Sequence, residues 1–362
     1  MTQQPNFNER IQVDTSDEDS IFETDSLLDS NLSFASSIRD YCYENGRRYH
    51  AYRPGQYPFP NDQEEQERLA LMHHLFKMLT GGDLYRAPIP RDTEPNTETG
   101  TGTGTRTQTC PPRRFLDIGT GTAEWAVEMA EAFPNAEVIG TDLSPIQPTW
   151  SPPNCRFFID DIESDWAYSP SEAFDYIHAR SMGGGVADWP RLLRQAFQHL
   201  KPGGWVEIQE FETIASSDDG SHNEAKLLNQ WLERLTSASI QFGKPVNHAR
   251  QVATWMEECG FQNVTDDTYK CPIGGWAKDR RLKEIGRIGR VSIIEAVEPY
   301  TLALFTRILG WKLQEAQEFM DRVRKEMANN KYHVYVFFHF IYGQRPMETE
   351  TDQTQTPVES LT

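Results

Sequence analysis

The residues best suited to chemistry lie in one short stretch, in which an acid is followed by two glycines. Asp117 belongs to the apolar run 115–118, and Gly119 and Gly121 follow it directly. Glycines at this spacing let the backbone turn tightly and let a ligand lie against it without a Cβ in the way. The helix predicted after the turn, which Pro134 ends, would point its free amide groups at that ligand. The stretch therefore predicts a strand, a glycine turn and a helix that open a nucleotide-binding unit.

The spacing of the glycines separates two classes of cofactor. A dinucleotide turn has a third glycine at the position of Glu124, whose carboxylate would repel a pyrophosphate. Methyltransferases tend to place their third glycine where this chain has Ala123, a replacement that would narrow the turn. Asp117 suits the cationic amino group of S-adenosylmethionine, and Thr120 is a further candidate contact inside the turn. The turn favours S-adenosylmethionine, and an oxidoreductase that binds NAD stays the alternative.

Acids also follow the next two predicted strands. Asp142 lies roughly 20 residues past the glycines, where an acid at a strand end can accept both ribose hydroxyls. Asp160 and Asp161 follow the third strand, where a carboxylate can accept the adenine amino group. Leu143 and Ile162, next to these acids, would cover the adenine ring. Any one of the acids could be an ordinary turn residue, but acids at three successive strand ends predict a cofactor site.

Two residues are candidate general bases. His178 and Glu210 lie at or near the ends of later predicted strands. Each has an ordinary alternative, His178 as a satisfied core histidine and Glu210 as a surface acid at a strand end. Methyl transfer depends mainly on orienting the acceptor, and a base is optional, so the catalytic residue stays open. Arg180, after the fourth strand, is a candidate cofactor contact. Side chains that could line an acceptor pocket are Met182, Trp189, Phe211 and Trp276.

The elements that must position these residues alternate along the chain. Four predicted strands interleaved with turns and helices imply a parallel sheet with right-handed crossovers. A strand pair ends the chain's ordered part, and its second member is continuously apolar and aromatic, which is typical of a central strand. This order predicts a Rossmann-like α/β fold with the seven-stranded class I methyltransferase sheet, an N-terminal helical arm, and inserted helices near the C-terminus over the strand ends. The later helices are predicted at 223–242, 249–259 and 279–309, and the strand pair at 261–273 and 331–342.

Shifts in composition predict the boundaries. Residues 1–37 hold eight acids, one base and little apolar material, which predicts a disordered acidic tail. Residues 346–362 have the same character, so one methyltransferase domain is predicted at 38–345. Within it we expect an N-terminal arm and helix at 38–90, a flexible Thr- and Gly-rich insertion at 91–112, a cofactor-binding core at 113–212, and a helical wall with the final strand pair at 213–345.

The predicted arm contains a stretch, 43–57, that is unusually dense in tyrosine and arginine for a connector. One interpretation is an arm that its tyrosines pack onto the domain surface. The other is a lid over the cofactor, with arginine or tyrosine donors aimed at a carboxylate. The sequence leaves both open.

Charge and cysteine usage exclude several classes of protein. The formal charge of −19 and the lack of a basic patch argue against direct nucleic-acid binding. Five cysteines without a C-x-x-C pair argue for a reducing compartment and against a metal site. The polar N-terminus predicts no secretory signal, and no apolar run is long enough to predict a membrane span. The expected location is the cytoplasm or the nucleus, without secretion.

These motifs together resemble the fungal LaeA-like class I S-adenosylmethionine-dependent methyltransferases over residues 37–346. The resemblance implies that the protein is an enzyme with S-adenosylmethionine as its cofactor. Two features depart from the family pattern, the alanine in the glycine turn and the long Thr-Gly insertion. The stretches that carry the resemblance are YENGRRYH at 43–50, LDIGTGT at 116–122, VIGTDLSPIQP at 138–148, DWPRL at 188–192, the segment 197–204, and ALFTRILGW at 303–311.

The resemblance implies one of two functions. Some members resemble tailoring enzymes that methylate a small-molecule intermediate of secondary metabolism, and others resemble nuclear regulators that work with velvet-type partner proteins. The acidic surface and the absence of a basic nuclear signal favour the enzyme with a small-molecule acceptor. The N-terminal tail is a segment on which a protein partner could dock.

Overall fold

The computed structural model describes residues 9–14, 41–90 and 113–347. The predicted insertion at 91–112 lies outside the described residues. So do the two predicted tails, apart from 9–14 and 346–347, and the first residues of the predicted arm.

Nine strands occur among the described residues, and seven of them form one sheet. The first two form a separate hairpin. The strands are Cys42–Glu44 (β1), Arg47–Tyr49 (β2), Arg114–Ile118 (β3), Glu137–Asp142 (β4), Cys155–Ile159 (β5), Phe174–Arg180 (β6), Leu200–Phe211 (β7), Gln262–Pro272 (β8) and Tyr335–Gln344 (β9).

The large sheet has the strand order β5-β4-β3-β6-β7-β9-β8, in which β9 alone runs antiparallel to its neighbours. The chain begins this sheet inside it, at β3, and builds outward first to one side and then to the other. The order reverses between β3 and β6, and ligands of open α/β sheets bind beyond the strand ends at such a reversal. The predicted Rossmann-like seven-stranded plan, including its late strand pair, is confirmed.

Seven α-helices cover the sheet within the described ranges. The first begins after Asp62, whose side chain accepts a hydrogen bond from the Glu65 amide at 3.2 Å and so caps the helix. It ends at Gly81, whose φ of 78° is left-handed. No helix in the described part of the chain is long and apolar enough to cross a membrane. The helices are Gln63–Thr80 (α1), Glu124–Ala132 (α2), Trp189–His199 (α3), Lys226–Phe242 (α4), Ala249–Glu258 (α5), Arg280–Ala303 (α6) and Leu313–Met327 (α7).

Two helical regions differ from the prediction. The helix expected at 279–309 is an α-helix only to its residue 303 and continues as a π-helical turn, Leu304–Ile308. Pro299, which cannot donate to the helical ladder, lies about one turn before the change. The prediction omits α7, although Ala316, Phe319 and Val323 bury one face of it at helical spacing.

Side-chain alternation along the strands divides the core between the two faces of the sheet. Phe115 packs with α2, whereas its neighbour Leu116 packs with the cluster that α3 and α5 cover. The largest cluster lies between β8, β9 and helices α1, α4, α6 and α7. There Phe76 of α1 contacts Phe338 and Phe340 of β9, with ring centroids 4.9 and 5.7 Å apart. These contacts fix α1 beside the end of the sheet that bears the candidate site.

The six described residues of the N-terminal tail lie along the domain, which differs from the disorder predicted for 1–37. Ile11 is buried, and the Lys278 amide donates to the Gln12 carbonyl at 2.6 Å. The Asp14 amide donates to the Trp276 carbonyl at 2.8 Å, and its carboxylate pairs with Lys283. Burial of one apolar side chain and these backbone bonds hold the short segment in place.

Candidate functional site

The glycine turn adopts the backbone conformation for which its residues are suited. Gly119 and Gly121 have φ values of 68° and 56°, which residues with a Cβ rarely adopt. A Cβ on Gly119 would also collide with the Met182 side chain. Ala123 has a φ of 70° and is fully buried at the start of α2. Its substitution for glycine therefore strains the backbone of the turn.

Asp117 lies at the end of β3 with both carboxylate oxygens bound. The Thr120 hydroxyl donates to Oδ2 at 2.6 Å, and Nδ1 of His178 lies 2.7 Å from Oδ1. The His178 ring is fully buried and stacks on Trp125, with centroids 3.7 Å apart and planes 5° apart. The structure thus joins two predicted site residues, Asp117 and His178, and gives the histidine a positioning contact with the acid of the turn.

Asp142 lies at the end of β4 and holds the second half of the turn. Its Oδ2 accepts from the Gly121 amide at 2.9 Å, and its Oδ1 accepts from the Ser144 amide at 2.8 Å. Burial raises the pKa of Asp142 to about 6, and the nearby charge of Asp117 acts in the same direction. The carboxylate is therefore part of the turn, and it keeps acceptor capacity for a ligand.

The acids after β5 differ from each other in exposure. Asp160 is exposed, and its amide donates to the Asp142 carbonyl at 2.9 Å. Asp161 is half-buried and lies 3.5 Å from Nε of Arg53. Ile162 is half-buried, as is Leu143 beyond β4. The structure therefore brings Asp161, and not Asp160, against the predicted arm.

The arm crosses the ends of β4 and β5. Tyr57 packs edge-on against Phe59 at 5.2 Å, and the Phe59 ring stacks on Tyr300 of α6 at 4.3 Å. Arg53 reaches the acid after β5, and Asn61 donates to the Ser144 hydroxyl at 3.1 Å. The arm thus lies where a lid over these strand ends would lie. Its other two arginines bind the chain itself: Arg47 pairs with Asp62 and Glu298, and Arg48 donates to Asn61.

Helix α1 contributes residues to the site that the sequence analysis does not single out. Arg180 donates to Nδ1 of His73 at 2.9 Å, and His73 donates through Nε2 to Glu128 at 3.0 Å. Burial and the Arg180 charge lower the pKa of His73 to about 4, so its ring is neutral at pH 7. The signal that could have marked His73 is its position four residues after Leu69, on the same helical face.

Glu210 is buried at 1% exposure, so its interpretation as a surface acid is wrong. It accepts a hydrogen bond from the Met182 amide, and Nε2 of His248 lies 3.6 Å from its Oε1. His248 is buried against Trp189, with ring centroids 4.2 Å apart. Neither His248 ring nitrogen has a hydrogen-bond partner among the described residues. Met182 thus links Glu210 to the glycine turn, because its side chain lies against Gly119.

The remaining aromatic candidates fall in different places. Phe211 lines a cavity at the end of β7, described below. Trp276 donates to the Val334 carbonyl at 3.2 Å in a small cluster with Ile11. Trp276 is therefore a structural residue beside the N-terminal segment.

One cleft gathers half of the predicted cofactor residues, together with His178. It opens beyond the end of β3, between the glycine turn and α1. Asp142 adjoins the cleft through its bond to the turn. The predicted residues that line the cleft are Asp117, Gly119, Thr120, Gly121, His178 and Arg180, and α1 adds Leu69, Met72 and His73.

Comparison with known proteins identifies the family of the chain. Residues 97–266 match the family described as "Methyltransferase domain". "Methyltransferase pytC" of Aspergillus terreus is 41% identical over 339 residues, which are 93% of this chain and 96% of the relative. "Secondary metabolism regulator laeA" of Aspergillus flavus is 34% identical over 322 residues, 88% of this chain and 81% of the relative.

Among solved structures, the chain is similar to phosphoethanolamine N-methyltransferase 2 of Haemonchus contortus in complex with S-adenosyl-L-methionine. That likeness has 19% identity and a TM-score of 0.38, and it covers 65% of this chain and 49% of the other. The two fungal relatives match 93% and 88% of this chain. The chain belongs to the family of class I S-adenosylmethionine-dependent methyltransferases that includes pytC and the laeA regulators.

Proposed function

We propose that this protein transfers the methyl group of S-adenosylmethionine to a small-molecule acceptor of fungal secondary metabolism. The observation that carries the proposal is the intact turn at the ends of β3 and β4. There Asp117 and Asp142 are held in place by Thr120, His178 and the Gly121 amide. A chain that used its scaffold only for docking would have no need to hold these carboxylates ready for a ligand.

The methionine end of the cofactor fits the cleft lined by β3, β6 and α1. Asp117 would attract the cofactor's amino group, because its carboxylate is buried and keeps lone pairs beyond its two present bonds. Arg180 would bind the cofactor's carboxylate, since its hydrogen bond to His73 uses only one of its five N–H donors. Gly119 and Gly121 would let the cofactor lie against the backbone.

The adenosine end fits the ends of β4 and β5. Asp142 would accept the ribose hydroxyls, and Leu143 and Ile162 would cover the adenine. Asp161, half-buried beside Arg53, suits the adenine amino group better than the exposed Asp160. The arm over these strand ends would then act as the lid.

S-adenosylmethionine supplies a methyl group on a sulfonium, which is already activated for displacement. The protein must therefore orient the acceptor and exclude water. His248 with Glu210 is the pair best placed to hold a proton that the acceptor loses, because both are buried and one residue, Met182, separates them from the turn. His248→Asn should lower kcat and leave the affinity for the cofactor unchanged. An unchanged kcat would show that His248 does not hold this proton.

The experiment that tests the function combines the purified protein, labelled S-adenosylmethionine and an extract from a strain that lacks the gene. We expect label in one product whose unmethylated precursor accumulates in that strain. The Gly119→Arg protein is the inactive control, and Gly310→Arg, at a φ of 71° in open space, is the matched active one. Cofactor binding without any labelled small molecule would contradict the proposal.

A regulator that acts with a protein partner is the second candidate, because laeA proteins are among the relatives. The acidic tail would be the docking segment. A deletion strain complemented with the chain lacking 1–37 separates the two functions. The described residues of that tail, 9–14, form hydrogen bonds with Trp276 and Lys278, away from the cofactor cleft. If the protein is the enzyme, the complemented strain should regain the methylated product with unchanged transcript levels. If it is the regulator, the transcript levels of many pathways should fall when the tail is lost.

A further inference from the structure

A second cavity lies on the same edge of the sheet, at the ends of β7 and β8 and the start of β9. Phe211 pairs with Phe338 there, and Cys271 pairs with Val336. Helices α1, α4 and α6 close the cavity on its other sides, and its walls include four aromatic rings. Those rings belong to Phe211, Trp231, Tyr300 and Phe338.

Three buried polar atoms, each on a residue that lines this apolar cavity, have no hydrogen-bond partner within the described residues. They are Nη1 of Arg68, Oγ1 of Thr213 and Oγ of Ser292. The three residues are 4%, 6% and 1% exposed. The other nitrogens of the Arg68 head, Nε and Nη2, donate to Glu65 at 2.9 and 2.6 Å. The pair is therefore balanced in charge, and Nη1 has no hydrogen-bond partner among the described residues, although the guanidinium lies 5.4 Å from the Tyr300 ring centroid.

A packing defect does not explain this arrangement well. A buried polar group without a partner costs about 1–3 kcal/mol, and a void of ordinary core would be lined by apolar groups alone. Three unmatched groups, on residues of α1, α6 and the segment after β7 that line one space, indicate that water or a ligand with oxygen atoms completes them. Apolar walls with a few convergent polar groups are the usual composition of a small-molecule site.

The cavity and the cofactor cleft share one wall. Met72 of α1 lines both, with Arg68 on the cavity side and His73 on the cleft side. The enclosed space is about 50 Å³, on a scale where one water needs about 10–15 Å³. An aromatic ring therefore enters only when a side chain moves, and the unbranched Met72 is the one best able to do so.

We propose that this cavity is the acceptor site and that it takes an aromatic or conjugated, largely apolar molecule bearing carbonyl, phenol or enol oxygens. The proposal rests on the proposed function and names the substrate class of that enzyme. Arg68 donates to one oxygen of the acceptor, Thr213 and Ser292 bond to others, and the aromatic walls hold the ring or conjugated chain. The end of the molecule beside Met72 points toward the cofactor cleft.

The test uses three one-ring probes measured by saturation-transfer NMR on the full chain. Acetophenone carries a carbonyl oxygen, ethylbenzene has nearly the same shape without it, and benzylamine carries only donors at pH 7. We expect acetophenone to bind about tenfold more tightly than ethylbenzene, the size of one hydrogen bond in a dry site. Benzylamine should bind more weakly than either.

Two sets of variants connect any preference to this cavity. Thr213→Val with Ser292→Ala removes two hydroxyls that have no partner in the described structure, so the melting temperature should stay or rise while the preference for acetophenone falls. Arg68→Met is made with Glu65→Gln to avoid a buried unpaired carboxylate, and Glu65→Gln alone is its control. Ala296→Leu fills the cavity and should remove binding of all three probes.

Calorimetry with S-adenosylhomocysteine on the same samples separates the two proposals. Failure of the unmodified chain to bind it would count against the proposed function, whatever the probes do. With cofactor binding intact, equal binding of acetophenone and ethylbenzene, or no binding of either, would overturn the acceptor assignment. A preference that persists in all the variants would overturn it as well, because the probes would then bind elsewhere.

Discussion

The two ends of one sheet edge are built in opposite ways. At β3 and β4 the side chains are polar, and both turn carboxylates already accept two bonds from the chain. At β7, β9 and β8 the walls are apolar and aromatic, and three donors are left without partners in the described part of the chain. The first end is organised before any ligand arrives, whereas the second keeps three polar groups unmatched among the described residues.

The difference follows from what each end has to hold. A charged cofactor needs carboxylates fixed in direction, since reorienting them at binding would cost affinity. An apolar acceptor gains affinity from burial of its surface, and a few unmatched polar groups then select its orientation. If the comparison is right, substitutions at one end should leave binding at the other end intact.

The largest effect is expected from Gly119→Arg. The new side chain would meet Met182, and its backbone would hold a φ of 68° that favours glycine. Binding of S-adenosylhomocysteine should fall below detection by calorimetry, while acetophenone binding in the apolar cavity stays. Gly310→Arg places an arginine at a similar positive φ and should bind both S-adenosylhomocysteine and acetophenone. Loss of acetophenone binding in Gly119→Arg as well would show that the two ends are one cooperative unit.

A smaller loss is expected from Asp142→Asn. An amide has one acceptor oxygen, so it cannot serve Gly121, Ser144 and a ribose as the carboxylate can. Affinity for S-adenosylhomocysteine should fall by about 1.5–3 kcal/mol, with a lower melting temperature because the turn loosens. Asp165→Asn, at a side chain that is 97% exposed, should change neither. If Asp142→Asn left the affinity for S-adenosylhomocysteine unaltered, the ribose would have to bind elsewhere.

Cofactor affinity should also depend on pH at the polar end. The pKa of Asp142 is raised to about 6 by burial, so its carboxyl is protonated below that pH and loses acceptors. Affinity for S-adenosylhomocysteine should therefore be about tenfold weaker at pH 5 than at pH 7. The raised pKa also means that the contribution of this carboxyl to stability falls as pH rises from about 4 to about 6.

Calorimetry at pH 5, 6 and 7 measures this effect, and Asp142→Asn should flatten it. His73 does not interfere in that range, because its pKa is lowered to about 4. Acetophenone affinity in the apolar cavity should be constant from pH 5 to 7. An affinity for the cofactor that stays constant from pH 5 to 7 would contradict the assignment of Asp142.

The smallest effect is expected from Ala123→Gly. Ala123 holds a φ of 70°, which costs a residue with a Cβ about 1 kcal/mol, while glycine adds flexibility to the unfolded chain. We expect a gain of less than about 1 kcal/mol in the free energy of unfolding, measured by urea titration, and little change in cofactor affinity. A clear loss of stability would mean that the buried methyl group packs better than its strained backbone suggests.

The sequence by itself determined the polar end. Asp117 and Gly119 lie two residues apart in the chain. The acids that follow the later strands lie at the same edge of the sheet, because parallel strands end on the same side. A motif confined to a few residues, or repeated at each strand end, leaves a local pattern that can be read. The α/β plan followed for the same reason, since periodicity and turn residues are also local signals.

Only the tertiary structure decided the rest. Glu210 belongs to a strand end in the sequence, and it is buried because Met182 and His248 come from other elements to enclose it. The acceptor cavity joins residues 68, 213 and 292, whose separation in the chain leaves no spacing to recognise. Such a site exists only when long-range packing closes α1 and α6 over the sheet, and burial, which sets the chemistry of its polar groups, is a property of that packing.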